Sequence, residues 1–167
     1  MRGLSAERRE DILERLMTDY GDQVMKTCLL FLRNRHLAED AAQETFFRAW
    51  RALDRFREGE TEKAWLMKIT VNVCRTASKA RPGWIPAEQV PEAGALDRYP
   101  DDTVLQAVYA LPAKYRSPVI LFYYHGFSAD ETARILHLPG ATVRTRLSRA
   151  RTRLKEELKG WYAEDER

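Results

Sequence analysis

The chain has 167 residues, a length typical of one ordinary domain or two small ones. It is 44% hydrophobic and 32% charged, which is the composition of a globular protein and excludes a disordered one. The formal net charge is only +3, so total charge does not indicate nucleic-acid binding and the distribution of charge matters more. No apolar run is long enough to span a bilayer and no signal-peptide core is visible, which predicts a cytoplasmic protein.

The cysteines and histidines do not form a metal or disulfide pattern. Two cysteines, Cys28 and Cys74, are too few for a disulfide framework. Cys28 lies in an apolar helical pattern, which favours a buried structural thiol. His36, His125 and His137 have no metal-ligand spacing with cysteines or carboxylates, so no metal site is predicted.

Apolar residues recur at helical spacing along most of the chain, and no stretch alternates long enough to indicate a strand. An all-α fold is therefore predicted. Ser5 is a candidate N-cap for a first helix, which Tyr20-Gly21 is expected to interrupt. A second helix is predicted over residues 22–33, then a polar connection at 34–36 and a third helix over 37–53.

The third predicted helix carries one aromatic residue away from its apolar stripe. The stripe consists of Ala42, Phe46, Ala49 and Leu53. Phe47 has only polar neighbours on the helix surface. An aromatic ring in such surroundings indicates either a partner contact or packing against another segment of the same domain, and the pattern alone favours packing.

A charged connection over residues 54–64, with Gly59 as a helix breaker, leads to a fourth helix predicted over 61–79. That helix is expected to bury Trp65, Leu66, Ile69 and Val73. The cations near its C-terminus have two explanations. They would interact favourably with the helix macrodipole, and they could also bind a ligand.

The best candidate for a domain boundary follows this helix. Residues 82–100 contain four prolines and two glycines, which indicates a linker. The predicted domains are therefore 1–81 and 101–167, joined by 82–100. Fully extended, such a linker reaches about 60 Å, or roughly 18 base pairs of a duplex.

The second domain is predicted to begin with three short helices, over residues 103–111, 114–124 and 129–137. Ser128 is expected to cap the third of them, with Glu131 completing a capping box. A turn at 138–141 then leads to a last helix, which Thr142 caps or opens.

The last predicted helix, over residues 142–158, is basic and amphipathic. Its apolar stripe consists of Val143, Leu147, Ala150, Leu154 and Leu158. Thr145, Ser148 and Thr152 lie opposite, and basic residues flank them on both sides. Short hydroxyl side chains between cations suit a DNA groove, although a solvated basic face has the same pattern. The preceding helix and turn favour a helix-turn-helix, in which the second helix reads the groove.

Two motif blocks resemble one known family. The first is AEDAAQETFFRAWRALDRF (38–56) followed by WLMKITVN (65–72), which is similar to that family's D-x-x-Q-E-x-F-x-x-x-W and W-L-x-x-I-x-x-N runs. The second is the whole stretch 111–154. The family is the extracytoplasmic-function group of sigma-70 RNA polymerase sigma factors. The resemblance implies an all-α fold of two small helical domains, a region 2 bundle and a region 4 helix-turn-helix, joined by the Pro-rich linker.

The resemblance also implies site residues, matched position by position. The surface that docks on core RNA polymerase, at the clamp helices of its β′ subunit, corresponds to Asp40, Gln43, Glu44, Phe47 and Trp50. For Phe47 it replaces the packing interpretation. Contacts with the −10 element correspond to Arg55, Arg57, Lys63, Asn72, Arg75 and Lys79. Contacts with the −35 element correspond to Ser128, Thr142, Arg144, Thr145, Arg146, Ser148 and Arg149.

The implied activity is promoter-specific transcription initiation without catalytic residues, cofactor or small-molecule substrate. The implied partners are core RNA polymerase, through β′ and the β flap, promoter DNA, and an anti-sigma factor, which in some members is membrane-tethered. The implied location is the cytoplasm, at the nucleoid as holoenzyme or at the membrane when sequestered. One departure from the family concerns the turn: Gly140 falls one position early, and Ala141 takes the usual glycine position.

Two other functions fit parts of the sequence. A dimeric regulator that binds duplex DNA without polymerase explains the helix-turn-helix but leaves the first motif block unexplained. A helical enzyme would use Glu39, Asp40 and Glu44 as metal or acid–base carboxylates, but no complementary histidine or second carboxylate motif accompanies them.

Overall fold

The computed structural model describes residues 3–56, 60–79 and 102–165, and within them every regular element is helical. The chain divides into two compact units, Met1–Ala87 and Glu88–Arg167. The prediction of an all-α fold with two helical domains is confirmed. The predicted linker at 82–100 and the cation Arg57 lie outside the described residues.

The first unit begins with one long helix, α1, over Ala6–Leu32. Ser5 caps it as predicted, because its side chain accepts a hydrogen bond from the Arg8 N–H at 3.4 Å. The predicted interruption at Tyr20-Gly21 is wrong. A glycine inside a helix costs only about 1 kcal/mol relative to alanine, and burial of the apolar face of α1 outweighs that cost.

Helices α2 (Arg35–Ala52) and α3 (Glu62–Lys79) pack on α1 and on each other. A single 3₁₀ turn, Leu53–Arg55, follows α2 directly. The polar connection predicted at 34–36 is shorter than expected. Asn34 is the N-cap of α2, and its side-chain oxygen accepts from the Leu37 N–H at 3.0 Å. The stripes predicted for α2 and α3 are largely buried, but Ala42 and Ile69 are only half-buried.

The two cysteines meet in the core of this unit. Cys28 of α1 and Cys74 of α3 are fully buried, with their sulfur atoms 3.7 Å apart. The burial predicted for Cys28 is confirmed. Its neighbouring thiol and the apolar surroundings raise the pKa of Cys74 far above its usual value, because both disfavour a thiolate.

The second unit contains α4 (Asp102–Ala110), α5 (Ala113–Val119), α6 (Ala129–Leu136) and α7 (Gly140–Asp165). A π-helical turn, Ile120–Tyr124, extends α5. The core of this unit consists of Leu111, Tyr115, Val119, Ala133, Val143, Leu147 and Ala150. The predicted stripe of the last helix is therefore its buried face.

Helix α7 begins earlier and ends later than predicted. It starts at Gly140, so Thr142 is its third residue and not its cap, and it continues past Leu158 to Asp165. The turn before it is made by His137, which adopts the left-handed conformation with φ 54°. The Leu138 N–H closes this turn on the Ala133 carbonyl at 2.9 Å. Because residues 140 and 141 are already helical, the turn does not require glycine at either position.

Replacing His137 with glycine should therefore stabilise the second unit. A non-glycine residue in the left-handed region costs about 1–2 kcal/mol, and glycine loses part of that gain to its greater freedom in the unfolded chain. We expect His137→Gly to raise the free energy of unfolding by about 0.5–1 kcal/mol. Amide hydrogen exchange in α6 and α7 would measure this increase in the free energy of unfolding. His137→Ala is the control, and stabilisation by alanine as well would contradict the conformational explanation.

Candidate polymerase and nucleic-acid interfaces

Helix α2 presents a polar row with one exposed aromatic ring. Asp40, Gln43, Glu44 and Phe47 are spaced i, i+3, i+4 and i+7, so they share one face of the helix. Ala38, Ala41, Thr45, Phe46 and Ala49 are buried on the other side. Phe47 is 52% exposed, whereas the adjacent Phe46 is only 8% exposed. The packing interpretation of Phe47 is therefore wrong.

Trp50 borders this row but is only half-buried. Its ring stacks against Phe47 with centroids 6.5 Å apart. Arg9 of α1 lies over the indole ring of Trp50, with its guanidinium carbon 5.5 Å from the ring centroid. Arg9 Nη2 also donates a hydrogen bond to the Trp50 carbonyl oxygen at 3.0 Å. Arg51 lies 5.7 Å from the Phe47 centroid. Two cations thus hold the aromatic pair in place at the end of α2.

The connection between α2 and α3 is anchored on both sides by ion pairs. Asp54 accepts from Arg9 and from the Leu4 N–H, and its pKa is lowered mainly by the Arg9 hydrogen bond. Glu62, in the first turn of α3, accepts hydrogen bonds from both terminal nitrogens of Arg15. The bond from Arg15 Nη1 is 3.0 Å long. Lys68 pairs with Glu60. Sequence patterns did not indicate these long-range pairs.

The predicted −10 residues divide into two groups. Asn72, Arg75 and Lys79 lie within about 60° of one another around α3, because they are three and four residues apart. Asn72 and Lys79 are exposed and Arg75 is half-buried. Lys63 is nine residues before Asn72, which places it on the opposite side of the helix. Burial lowers the pKa of Lys63.

An exposed aromatic residue next to Arg55 was not among the predicted site residues. Phe56 follows the 3₁₀ turn that carries the exposed Arg55, and it is 37% exposed. Its ring meets Trp65 edge-on, with centroids 5.4 Å apart. Such a ring is suited to stacking on an unpaired base. The signal in the sequence was an aromatic residue inside a charged connection.

In the second unit, α6 and α7 form the predicted helix-turn-helix. The capping box is present: Glu131 N–H donates to Ser128 Oγ at 3.1 Å, and Ser128 N–H donates to Glu131 Oε2 at 2.8 Å. Ser128, one of the predicted −35 residues, is thus the N-cap of α6. The other six lie on the first turns of α7: Thr142, Arg144, Thr145, Arg146, Ser148 and Arg149.

Burial of the inner stripe of α7 orients these six residues. Val143, Leu147 and Ala150 are at most 2% exposed. Thr145, Ser148 and Arg149 are exposed, and Thr142 and Arg146 are half-buried at the edge. Arg144 lies on the opposite flank and pairs with Asp130 of α6 at 3.5 Å. The structure thus shows small hydroxyl groups between two rows of arginines.

Comparison with known proteins agrees with both units. The family model of Sigma-70 region 2 matches residues 16–81, and that of Sigma-70 region 4 matches residues 101–154. The ECF RNA polymerase sigma factor SigW of Bacillus subtilis is 30% identical, over 90% of this chain and 90% of its own length. The chain is an extracytoplasmic-function sigma factor of the sigma-70 family. Sigma factors of this group direct promoter-specific transcription initiation.

Two solved structures resemble the sigma factor along most of its length. The sigma factor RpoE of Bartonella quintana, in complex with the anti-sigma factor NepR, has a TM-score of 0.72 at 26% identity and covers 90% of this chain and 98% of that chain. CnrH in complex with the cytosolic domain of CnrY has a TM-score of 0.70 at 26% identity, with 90% of each chain covered.

Among the described residues, no group of three or more potential ligands is arranged to hold a metal ion. None of the described helices is both long enough and apolar enough to cross a membrane.

The Arg15–Glu62 pair predicts a pH dependence for the first unit. The Arg15 hydrogen bond lowers the pKa of Glu62 below its usual value of 4.5. The resulting stabilisation is present above the unfolded pKa and is lost as pH falls through the folded pKa. We expect stability to decrease between about pH 5 and pH 3, by at most about 1 kcal/mol from this half-exposed pair.

Two variants test this assignment by amide hydrogen exchange in α1 and α3. Glu62→Gln removes the titrating group and Arg15→Met removes its partner. Both should flatten the acid limb of the stability profile by the same amount. An unchanged profile in both variants would show that other carboxylates cause the acid destabilisation.

Proposed function

We propose that the two units divide promoter recognition between them while the first unit holds core RNA polymerase. The outer row of α2, Asp40, Gln43, Glu44 and Phe47, with Trp50 at its end, docks on the clamp helices of β′. The observation that carries this proposal is the contrast between two adjacent phenylalanines. Phe46 is buried in the core, whereas Phe47 is 52% exposed, beside Trp50 and among the polar residues of the row. Such a ring is typical of the centre of a protein–protein contact.

The first unit also captures the −10 element. The proposed contacts are Arg55, Arg57, Lys63, Asn72, Arg75 and Lys79. Asn72, Arg75 and Lys79 form one strip along α3, in which Asn72 and Lys79 are exposed and Arg75 is half-buried. A single strand can bind to this strip through its phosphates and one amide-reading contact. The ion pairs of Asp54 with Arg9 and of Glu62 with Arg15 support this, since residues that are already held in place lose less entropy when a neighbouring segment binds a flipped base. Lys63 lies away from that strip and would contact a different segment.

The second unit reads the −35 element as duplex. Thr142, Arg144, Thr145, Arg146, Ser148 and Arg149 would enter the major groove, with Ser128 at the N-terminus of α6 nearby. The six residues on α7 combine hydroxyl groups for base edges with arginines for the phosphate walls. The second unit also provides the contact with the β flap.

The sigma factor itself carries out no covalent reaction, since the polymerase supplies the catalysis. Strand capture offsets the cost of opening a few base pairs. An anti-sigma factor, soluble or membrane-tethered, is the proposed regulator. RpoE of Bartonella quintana is in complex with the anti-sigma factor NepR, and CnrH is in complex with the cytosolic domain of CnrY. The proposed location is the cytoplasm, at the nucleoid as holoenzyme and at the membrane when a tethered regulator holds it.

Phe47→Ala tests the polymerase surface. We expect at least a tenfold loss of affinity for core polymerase, as for an aromatic hot spot, with stability changed by less than about 0.5 kcal/mol. Phe46→Ala is a matched control, because removal of a buried phenylalanine costs about 3–5 kcal/mol of stability. Affinity by fluorescence anisotropy and stability by urea unfolding separate the two effects. Unchanged affinity in Phe47→Ala, together with promoter binding in the absence of polymerase, would favour the duplex-binding regulator.

Asn72→Ala tests the −10 contact. We expect open-complex formation on a duplex promoter to slow by about tenfold, because one base contact is worth about 1–3 kcal/mol. The defect should be smaller on a promoter whose −10 region is already mismatched. Thr76→Ala is the control on the same side of α3, since its hydroxyl already donates to the Asn72 carbonyl at 3.0 Å. An equal defect on both templates would mean that Asn72 acts outside strand separation.

A further inference from the structure

Helix α5 contributes an unpredicted cluster of groups beside the first turns of α7. A surface depression there is lined by two basic side chains of α7, one lysine of α5 and hydroxyl groups: Lys114, Tyr115, Ala141, Thr142, Thr145, Arg146 and Arg149. The predicted −35 residues came only from α7 and from Ser128. Lys114 and Tyr115 belong to a different helix, for which the sequence predicted no site residues.

Tyr115 lies at the centre of this cluster. Tyr115 is only 4% exposed and packs in the core of the second unit. Lys114 Nζ lies 4.9 Å from the centroid of its ring, and the guanidinium carbon of Arg153 lies 5.0 Å from the same centroid. Arg149 lines the same depression, and its positive charge and proximity lower the pKa of Tyr115. One buried ring therefore contacts two cations that belong to two helices, and Arg149 lies in the same depression.

The cations of this cluster are available for an anion. Arg146, Arg149 and Arg153 are spaced i, i+3 and i+7, so they form one flank of α7 facing α5. Within the described part of the second unit, Asp130 pairs with Arg144 on the other flank, and no carboxylate pairs with Lys114 or these three arginines. Keeping several cations close together without a counter-charge is unfavourable unless a ligand neutralises them.

We propose that Lys114, Arg146 and Arg149 form a seat for one backbone phosphate of the promoter duplex, and that Tyr115 is the positioning residue that orders it. The proposal rests on the −35 reading by α7 described above. A phosphodiester fits because it carries one negative charge and acceptor oxygens, and cations from two helices can approach it from different sides. This contact fixes the register of α7 in the groove and carries no base information.

The test uses reconstituted holoenzyme and promoter duplex, with affinity measured as a function of salt. Neutralising one phosphate-bound lysine reduces the slope of log K against log salt by about 0.9. Lys114→Gln should show that reduction and weaken binding by about two- to tenfold, equally across promoter sequences. Lys159→Gln is the matched control, because it also removes one lysine charge. Lys159 lies on α7 about 20 Å beyond Arg146 and outside the depression.

A scan with neutral methylphosphonate linkages locates the phosphate. In the wild-type holoenzyme, one linkage beside the −35 element should weaken binding when it is neutral. In Lys114→Gln, neutralising that linkage should have little further effect. If the two effects are independent, Lys114 contacts no single phosphate and the seat is refuted.

Tyr115→Phe tests the positioning role, because it keeps the ring and removes only the hydroxyl, whose pKa Arg149 lowers. We expect about two- to threefold weaker binding with an unchanged unfolding temperature, and no further loss when Arg149→Ala is already present. Equal losses in both backgrounds would overturn the role of Tyr115. If Arg149→Ala lowers the salt slope but Lys114→Gln does not, only the phosphate seat fails. If neither lowers it, the proposed −35 reading fails as well.

Discussion

Burial of Val143, Leu147 and Ala150 against α5 and α6 decides which residues α7 presents at its surface for the proposed DNA contact. A helix that commits one face to a core has no freedom left to rotate, so the residues on its opposite face are presented in a set order. The same constraint operates on α2, where burial of Phe46 leaves Phe47 in solvent. In both units the proposed contacts are thus positioned by the apolar residues behind them, and a partner meets a surface that is already arranged.

Much of this arrangement could be predicted from the sequence, because it follows from helical periodicity. The stripe of α7, the capping box at Ser128 and the two-unit organisation all depend on residues close in sequence. The exposure of Phe47 could not be predicted in this way, and the pattern alone favoured the wrong alternative. Spacing shows that a residue lies off the stripe but does not show whether another segment covers it.

The errors have a common physical origin in tertiary packing. Glycine in the middle of α1 is tolerated because the helix is held by α2 and α3, which a local propensity cannot register. The turn before α7 depends on a left-handed histidine, a conformation that sequence patterns assign to glycine. The pairing of Arg15 with Glu62 and the contacts of Tyr115 with α7 join residues far apart in the chain. Exposed ion pairs of this kind contribute little stability and act mainly by holding a segment in place.

Each unit is packed from helices that are contiguous in the chain, and this has a consequence for synthesis. The packed helices of the first unit are complete at Lys79, whereas the core of the second unit needs Ala150. Domains fold as units while the chain emerges at about 5–20 residues per second, so roughly 4 to 14 s separate the two events. During that interval a nascent chain on the ribosome already displays the surface around Phe47, while the helix proposed to read the −35 element is not yet packed.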